Sequence, residues 1–275
     1  MTEPTRLNAR FLEDPAFAVF EPSVRRRLAA LPHFPAPHEL RALAQGIPSA
    51  IETWFDFAPQ DNASLESAGG FDALIAQTAH IPTRAGSFHD LLGALVWLHF
   101  PALKTAIHRL QLTAATGPRG PRENAATHLD ESGVLLVSTD VRVFQAVADL
   151  KWQALFWEQR AELADSTRFL AFGHGLLDAF RAPHPRLMAK ALCVRVSPAQ
   201  LSSSASALRV LLDGALASRV PDFLLGPERL LPLPVLGVPG WAPAQTPEFY
   251  GNQLYFRAQR TRPREPAACS WVALD

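Results

Sequence analysis

Histidines that lie close to acidic residues are the features of this chain best suited to chemistry. The first cluster spans residues 83–90 and contains Arg84, His89 and Asp90. Ser87 and Asp90 have the spacing of a helix N-cap and its third residue, so His89 is predicted to lie in the first turn of a helix. The positive end of a helix disfavours an imidazolium, and a neutral ring there can act as a base or a metal ligand. A purely capping role for His89 and Asp90 stays open.

A second cluster contains His128, Asp130 and Glu131 and precedes a Ser-Gly pair. In an extended segment, His128 and Asp130 would share a face, because side chains repeat every second residue. With His174 added, this pair would match the two-histidine, one-carboxylate pattern of non-haem iron enzymes. Those enzymes need a double-stranded β-helix, however, and this chain shows too few strands. The alternative is a turn with solvated acidic residues.

The third cluster is the Phe-Gly-His-Gly sequence at residues 172–175, inside a segment predicted to be helical over residues 166–180. Each glycine costs a helix about 1 kcal/mol relative to alanine, so we expect something to pack tightly against the backbone there. Asp178 lies four residues after His174 and could hold its ring in one tautomer. A buried histidine bonded to a neighbour is the alternative.

These clusters lead to the hypothesis of an enzyme with one acidic, histidine-containing pocket. The predicted catalytic residues are His89, Asp90, Glu131 and His174. The predicted metal ligands are His89, Asp130 and His174. The predicted substrate-binding residues, which offer guanidinium and indole groups, are Arg84, Trp157, Arg160 and Trp241. The predicted reaction is metal-assisted or general acid–base hydrolysis with an unidentified small molecule, and these ligands would suit zinc, manganese or iron.

Common catalytic motifs are absent from the sequence. It contains no GxGxxG, GxxxxGK[ST], GxSxG or HExxH pattern. Nucleotide-dependent and serine-hydrolase chemistry are therefore disfavoured, and the cofactor stays open beyond a divalent metal.

Hydrophobic patterning predicts a mainly helical α+β fold with a few short strands. Predicted helices cover residues 87–99, 149–164, 166–180 and 205–217. Predicted strands cover residues 133–138, 192–196, 254–257 and 271–274. The helix at residues 87–99 is apolar on nearly every face and should be buried.

Prolines divide the chain into three predicted parts of a single compact domain over residues 1–275. Of the 24 prolines, 13 lie between residues 22 and 59 or between residues 221 and 247. We therefore predict proline-interrupted helices at residues 1–56, a helical core at 57–220 and a proline-rich segment at 221–275. The last segment is apolar and should wrap a surface.

Composition and charge exclude several classes of protein. The 275 residues are 48% hydrophobic and carry zero formal net charge, which excludes a disordered chain and disfavours nucleic-acid binding. Arginine clusters at residues 25–27 and 257–264 are expected to be solvated. The sequence shows neither a leader nor an apolar run of about 20 residues, so we predict a cytoplasmic protein with no membrane partner. Cys193 and Cys269 are predicted to be free thiols.

Several strings together resemble a proteobacterial family of unknown function, family 3025, over about residues 57–257. They lie at residues 81–104, 129–133, 152–160, 172–174 and 233–241 and keep their order and spacing. The resemblance implies a bacterial, cytoplasmic, single-domain protein. It implies no activity, cofactor or catalytic residue.

A non-catalytic binding or scaffold protein is the alternative to an enzyme. In that interpretation the apolar, proline-rich residues 230–241 would form a docking surface or an oligomer arm. The sequence alone leaves the protein partner and the oligomeric state open.

Overall fold

A mixed β-sheet surrounded by helices organises the chain. The structure is a computed structural model that describes residues 6–112, 120–257 and 270–275. Its helices are α1 (Pro22–Ala29), α2 (Pro37–Leu40), α3 (Asn62–Ala68), α4 (Phe71–Thr78), α5 (Phe88–His99), α6 (Pro101–Leu112), α7 (Pro121–Ser132), α8 (Val141–Ala148), α9 (Arg160–Ser166), α10 (His174–Phe180), α11 (Pro198–Leu201), α12 (Ala205–Phe223) and α13 (Pro247–Tyr250). Its strands are β1 (Asp56–Pro59), β2 (His80–Thr83), β3 (Gly133–Ser138), β4 (Thr167–Ala171), β5 (Met188–Arg195), β6 (Leu231–Pro234) and β7 (Val272–Ala273). This is the predicted α+β class.

The larger sheet has the strand order β4-β3-β5-β6, and β7 also pairs with β5. Strand β3 is antiparallel to β4 and parallel to β5. Strands β6 and β7 pair with opposite ends of β5. Every residue of β3 is buried, as expected for a strand covered on both faces. A separate two-stranded parallel sheet joins β1 to β2.

Two predicted helices are wrong. Residues 166–180 form β4 and then α10, so His174 is the first residue of a helix and Gly173 is its N-cap. Residues 149–164 are not one helix either. Leu150 has a φ of 60°, and a π-helical turn at Ala154–Glu158 precedes α9.

The extended segment predicted around His128 is also wrong. Residues 128–131 lie in the last turns of α7, so His128 and Asp130 do not share a face. Residues 254–257 form turns and not a strand. The buried helix after Ser87 and the strand at residues 133–138 are confirmed. The helix predicted at residues 205–217 is confirmed but extends to Phe223.

The proline-rich residues 230–241 pack into the core. Leu231, Leu233, Val235 and Trp241 are all buried in the hydrophobic cluster that also contains Leu7 and Val272. Strand β6 can carry two prolines because it lies at the end of the strand order, where a residue without a backbone N–H is tolerated. The division of the domain into three parts stays a prediction.

Helices α5 and α6 meet at a bend of 115°. Among the described residues no single helix is long and apolar enough to cross a membrane. Helices α5 and α6 meet the same criterion of length and apolar composition only when they are counted together.

Asp213 on α12 accepts hydrogen bonds from the backbone N–H of Ala102 and Leu103, which fixes the start of α6. Burial raises the pKa of Asp213 to about 6, although these two bonds act to lower it.

A buried polar junction attaches the N-terminal segment to this bend. The backbone N–H of Glu21 donates to His99 Nε2 at 2.9 Å, and His99 Nδ1 donates to the carbonyl of Leu95 at 2.7 Å. Arg209 donates to the carbonyl of His99 and to the Glu21 carboxylate. Burial lowers the pKa of His99 to about 3, against the hydrogen bond to Leu95, which acts to raise it. The ring is therefore neutral and has both nitrogens bonded.

We expect this histidine to make the protein less stable in acid. Between pH 6.5 and about 3 the unfolded chain protonates His99 while the folded chain does not, so the free energy of unfolding falls as the pH falls, by about 5 kcal/mol at most. His99→Gln removes this proton uptake and should reduce or reverse the loss of stability seen in urea denaturation as the pH falls from 7 to 4, because the raised pKa of Asp213 acts in the opposite direction. The exposed His38 provides the control, since His38→Gln should keep the wild-type slope. Equal slopes for wild type and His99→Gln would contradict the prediction.

Candidate metal centre

Three side chains that could bind a metal ion converge beside the larger sheet. One ligand atom from each of His89, Glu131 and His174 lies within 4.8 Å of the others. The two imidazole rings are 4.5 Å apart between centroids. His174 is mostly buried, with 13% of its side chain exposed, whereas 49% of the Glu131 side chain is exposed. The cluster is therefore anchored at one side and open to solvent at the other.

The entry loop of α5 positions His89. Ser87 caps α5 by accepting a hydrogen bond from the backbone N–H of Asp90. Asp90 accepts from the backbone N–H and the Nε of Arg84 through one oxygen and from Nη2 of Arg84 through the other. Burial acts to raise the pKa of Asp90, but the bonds from Arg84 outweigh it and keep the pKa below its usual value. The loop is thus fixed at both ends, with His89 at the second position of the helix.

The pairing of β3 with β4 brings Glu131 and His174 together. These strands are antiparallel, with Val134 opposite Ala171, so the residues before β3 and after β4 meet at one edge of the sheet. The backbone N–H groups of Phe172 and Gly173 both donate to the carbonyl of Gly133. Glu131 at the end of α7 therefore lies next to His174 at the start of α10.

Glycines allow this close approach. A Cβ on Gly173 would lie 2.4 Å from the backbone nitrogen of Gly133 and 2.6 Å from the carbonyl of Glu131. A Cβ on Gly175 would lie 2.6 Å from the Glu131 carboxylate. Backbone atoms cannot move aside as a flexible side chain can, so glycine at position 173 is what permits α10 to start against the last turn of α7. This is the tight packing that the Phe-Gly-His-Gly sequence led us to expect.

Backbone and carboxylate groups fix the ring of His174. Its Nδ1 lies 2.9 Å from the carbonyl oxygen of Asp130 and 3.6 Å from the Asp130 carboxylate. A carbonyl oxygen can only accept, so Nδ1 carries a proton. Nε2 then faces Oε1 of Glu131 at 3.6 Å. In a neutral ring this sets two lone pairs against each other, and a proton or a metal ion between them would be favourable.

A buried lysine supports Asp130. Lys104 on α6 forms an ion pair with the Asp130 carboxylate, and its ammonium lies 5.0 Å from the centre of a Trp97 ring. Burial acts to raise the pKa of Asp130, but Lys104 and His174 outweigh it and hold the pKa well below its usual value. Burial also acts to lower the pKa of His174, and the charge and hydrogen bond of Asp130 reverse this, so the pKa is raised.

These groups line a pocket of about 420 Å³. Its lining residues are Gln60, Phe71, Asp72, Ile81, Pro82, Thr83, Arg84, His89, Asp90, Gly93, Ala94, Trp97, Lys104, Gln111, Thr127, Asp130, Glu131 and His174. The three candidate ligands thus share one cavity with charged, amide, hydroxyl and aromatic groups.

The structure brings some of the predicted site residues together and separates others. His89, Asp90, Asp130, Glu131, His174 and Arg84 all line the pocket. Trp157, Arg160 and Trp241 do not. Arg160 donates to Gln245 and Tyr250 and lies against the ring of Trp157, and Trp241 packs on Phe169 and Phe180. Their predicted contact with substrate therefore stays a prediction and cannot involve this pocket as it stands.

Two side chains have different neighbours from those the sequence suggested. Asp178 was expected to hold the ring of His174, but it lies 4.0 Å from Nδ1 of His89. Asp130 lies beside Nδ1 of His174 instead. Glu131, and not Asp130, joins the two histidines in the candidate ligand set. Sequence reasoning also missed Lys104 and Thr127. The spacing of Thr127 and Glu131, four residues apart, would have indicated a shared helix face if α7 had been recognised.

The fold and the pocket define an α+β protein with a histidine and carboxylate cluster at the edge of a mixed sheet. The chain belongs to the family described as protein of unknown function (DUF3025), whose model matches residues 55–260. The matched range includes every residue of the candidate metal centre. Neither the curated proteins nor the solved structures provide a match.

Alanine substitutions at Gly173 and Gly93 should distinguish the effect of close packing on stability from the effect of helix propensity. Gly173→Ala forces its new Cβ into the backbone of Gly133 and Glu131, so we expect a loss of roughly 1–3 kcal/mol or more in the free energy of unfolding. At Gly93 the nearest atoms to a new Cβ are those of His174, at 3.6 Å, which is ordinary contact. Gly93→Ala should leave stability unchanged or raise it by up to about 1 kcal/mol. Similar effects of the two variants in chemical denaturation would refute the packing argument.

Removing one partner of the buried ion pair should be costly. Asp130→Asn leaves the Lys104 ammonium without its countercharge, and we expect a loss of roughly 3–5 kcal/mol in the free energy of unfolding. The double variant Lys104→Met/Asp130→Asn removes both charges and should recover much of this loss. Urea denaturation of the wild type, Asp130→Asn, Lys104→Met and the double variant at pH 7 measures both effects. The prediction fails if the double variant is as unstable as the sum of its single variants.

Proposed function

We propose that His89, Glu131 and His174 bind a divalent metal ion and that the chain is a metal-assisted hydrolase. The observation that carries the proposal is the convergence of three ligand atoms within 4.8 Å in a 420 Å³ pocket. They come from three helices, α5, α7 and α10, so their meeting depends on the tertiary fold.

The composition of the cluster suits a catalytic metal site. Two imidazoles and one carboxylate are a known ligand set of catalytic zinc, which keeps a further position open for water or substrate. Manganese and iron also accept these ligands. His174 Nε2 faces the Glu131 carboxylate at 3.6 Å, and a metal ion that replaces a proton on this nitrogen would be near both groups.

The surroundings of the ligands support it as well. In metal sites a ligating histidine donates its second N–H to a carbonyl or carboxylate, which fixes the ring and raises its basicity. His174 has such a donation to the carbonyl of Asp130. Asp178, 4.0 Å from Nδ1 of His89, is close enough to take this role through a small movement or a water molecule.

Each protein group has a defined part in the proposed hydrolysis. A bound ion would lower the pKa of a coordinated water and polarise the group under attack. His89, Glu131 and His174 hold the ion, and Asp130 with Lys104 orients His174. Asp90 is fully engaged with Arg84, so we assign it the positioning of the α5 entry loop. A metal-free general acid–base reaction would use the same histidines.

The scaffold alternative has less support from the described residues. The apolar side chains of residues 230–241, proposed as its docking surface, are largely buried. A cytoplasmic location, a small-molecule substrate and the oligomeric state remain predictions from the sequence.

Metal analysis of the purified protein tests the proposal. After loading with zinc and dialysis, we expect one ion per chain by elemental analysis. His89→Ala, Glu131→Gln and His174→Ala should each lower the affinity by at least about 100-fold, since even outer-shell changes cost 10–100-fold. His184→Ala, at an exposed histidine, is the matched control and should retain full occupancy.

Two results would contradict the proposal. One is a wild-type protein that retains no zinc, manganese or iron after dialysis. The other is equal metal loss in the His184→Ala control and in the three ligand variants, because metal bound at surface histidines behaves in that way. Circular dichroism of each variant distinguishes the loss of a ligand from the loss of the fold.

A further inference from the structure

The charges, hydroxyls and rings around the candidate metal centre also indicate which substrates it would accept. We infer that the pocket takes an uncharged carbonyl compound, an ester or an amide with a flat apolar group, and not a phosphate ester. This inference rests on the proposed function and names the substrate class of the same site.

Both cationic side chains that line the pocket already have a carboxylate partner. Arg84 donates to both oxygens of Asp90, and Lys104 is paired with Asp130. A phosphate ester would need charged donors of this kind, and taking either one would leave a carboxylate unpaired. The pocket therefore offers no unengaged Arg or Lys for a phosphate among its lining residues.

The balance of charge leads to the same substrate class. The lining contains four carboxylates, which are Asp72, Asp90, Asp130 and Glu131, against the two cations, and His108 outside the lining contacts Asp72. With the histidines neutral, one divalent ion offsets the two surplus negative charges. A phosphate group would then add negative charge without compensation, whereas a neutral ester or amide would not.

Uncharged polar groups are available to the substrate. The hydroxyl Oγ1 of Thr127 is buried and has no hydrogen-bond partner within the described part of the chain. It lies on α7 four residues before Glu131, and it lines the pocket together with Gln111. A buried hydroxyl without a partner is costly, and a substrate carbonyl or N–H could satisfy it. This hydrogen bond would place the carbonyl group on the same helix face as the candidate ligand Glu131.

Aromatic and apolar side chains provide the rest of the binding surface. Phe71 lines the pocket and is 44% exposed, which is unusual for a phenylalanine. Trp97, Ile81 and Pro82 line the same cavity. A flat apolar group on the substrate would cover Phe71 and remove its ring from water.

The proposed reaction consumes only water. The oxygen of water bonds to the carbonyl carbon, and the C–O or C–N bond to the leaving group breaks. The leaving alcohol or amine takes one hydrogen of the water, and the acid product keeps the other. No oxidant, reductant or second substrate is required.

Binding of three matched probes to the zinc-loaded protein tests the inference. Benzamide is uncharged and flat, acetamide lacks the ring, and phenyl phosphate has the ring with negative charge. We expect benzamide to bind at least about tenfold more tightly than either of the others in calorimetric or NMR titrations, because the pocket disfavours an unpaired charge and favours burial of a ring. Thr127→Val and Phe71→Ala should each weaken benzamide binding by about 2–10-fold while zinc stoichiometry stays at the wild-type value.

The control and the contradicting outcomes separate this inference from the proposed function. Leu254→Ala, at an apolar side chain that is 92% exposed and does not line the pocket, should leave all three affinities unchanged. Phenyl phosphate that binds as tightly as benzamide, or acetamide that equals benzamide, overturns the inference while bound zinc still supports the metal centre. A protein that binds no zinc overturns both.

Discussion

The close approach between the start of α10 and the last turn of α7 is the constraint on which the rest of the site depends. Gly173 lies against the backbone of Gly133 and Glu131 with no room for a Cβ. This contact holds Glu131 beside His174 and places Asp130 against the other ring nitrogen of the same histidine. Helix α5 then needs only to pack on α10 for His89 to complete the cluster.

Asp130 connects this backbone contact to the electrostatics of the pocket. Its carbonyl oxygen orients His174, while its carboxylate pairs with the buried Lys104. Burying two charges costs free energy that their attraction does not always return, so such a pair is weak evidence for stability alone. The ion pair lies next to the candidate metal ligand His174. Asp130 fixes the ring of this histidine and makes the imidazole a better ligand, which is a physical reason for burying the pair there.

The same pairing of charges describes the whole pocket. Arg84 and Lys104 are engaged with carboxylates, and the groups left for a ligand include a hydroxyl, the imidazoles and the carboxylate of Glu131. The proposed metal centre and the proposed substrate class therefore rest on one arrangement of charges.

Much of the local structure could be predicted from the sequence. Ser87 and the apolar residues after it indicated the buried helix α5, and the apolar run at residues 133–138 indicated β3, because capping and hydrophobic patterning act over a few residues. The sequence also singled out His89, Glu131 and His174 as candidate site residues, since each lies near a glycine or a turn-like break. Helix α7 was missed because its polar face carries the acidic residues that also occur in turns.

The sequence by itself determined the α+β class, the family, and the histidines and acids that could form a site. Only the tertiary structure decided that Glu131, and not Asp130, joins both histidines in the cluster. It also decided that Asp130 is paired with Lys104, which lies 26 residues earlier in the chain. The physical reason is that strand pairing and helix packing set distances between residues that are far apart in the chain. Local patterns carry no information about which of two neighbouring carboxylates such packing will turn towards a given ring.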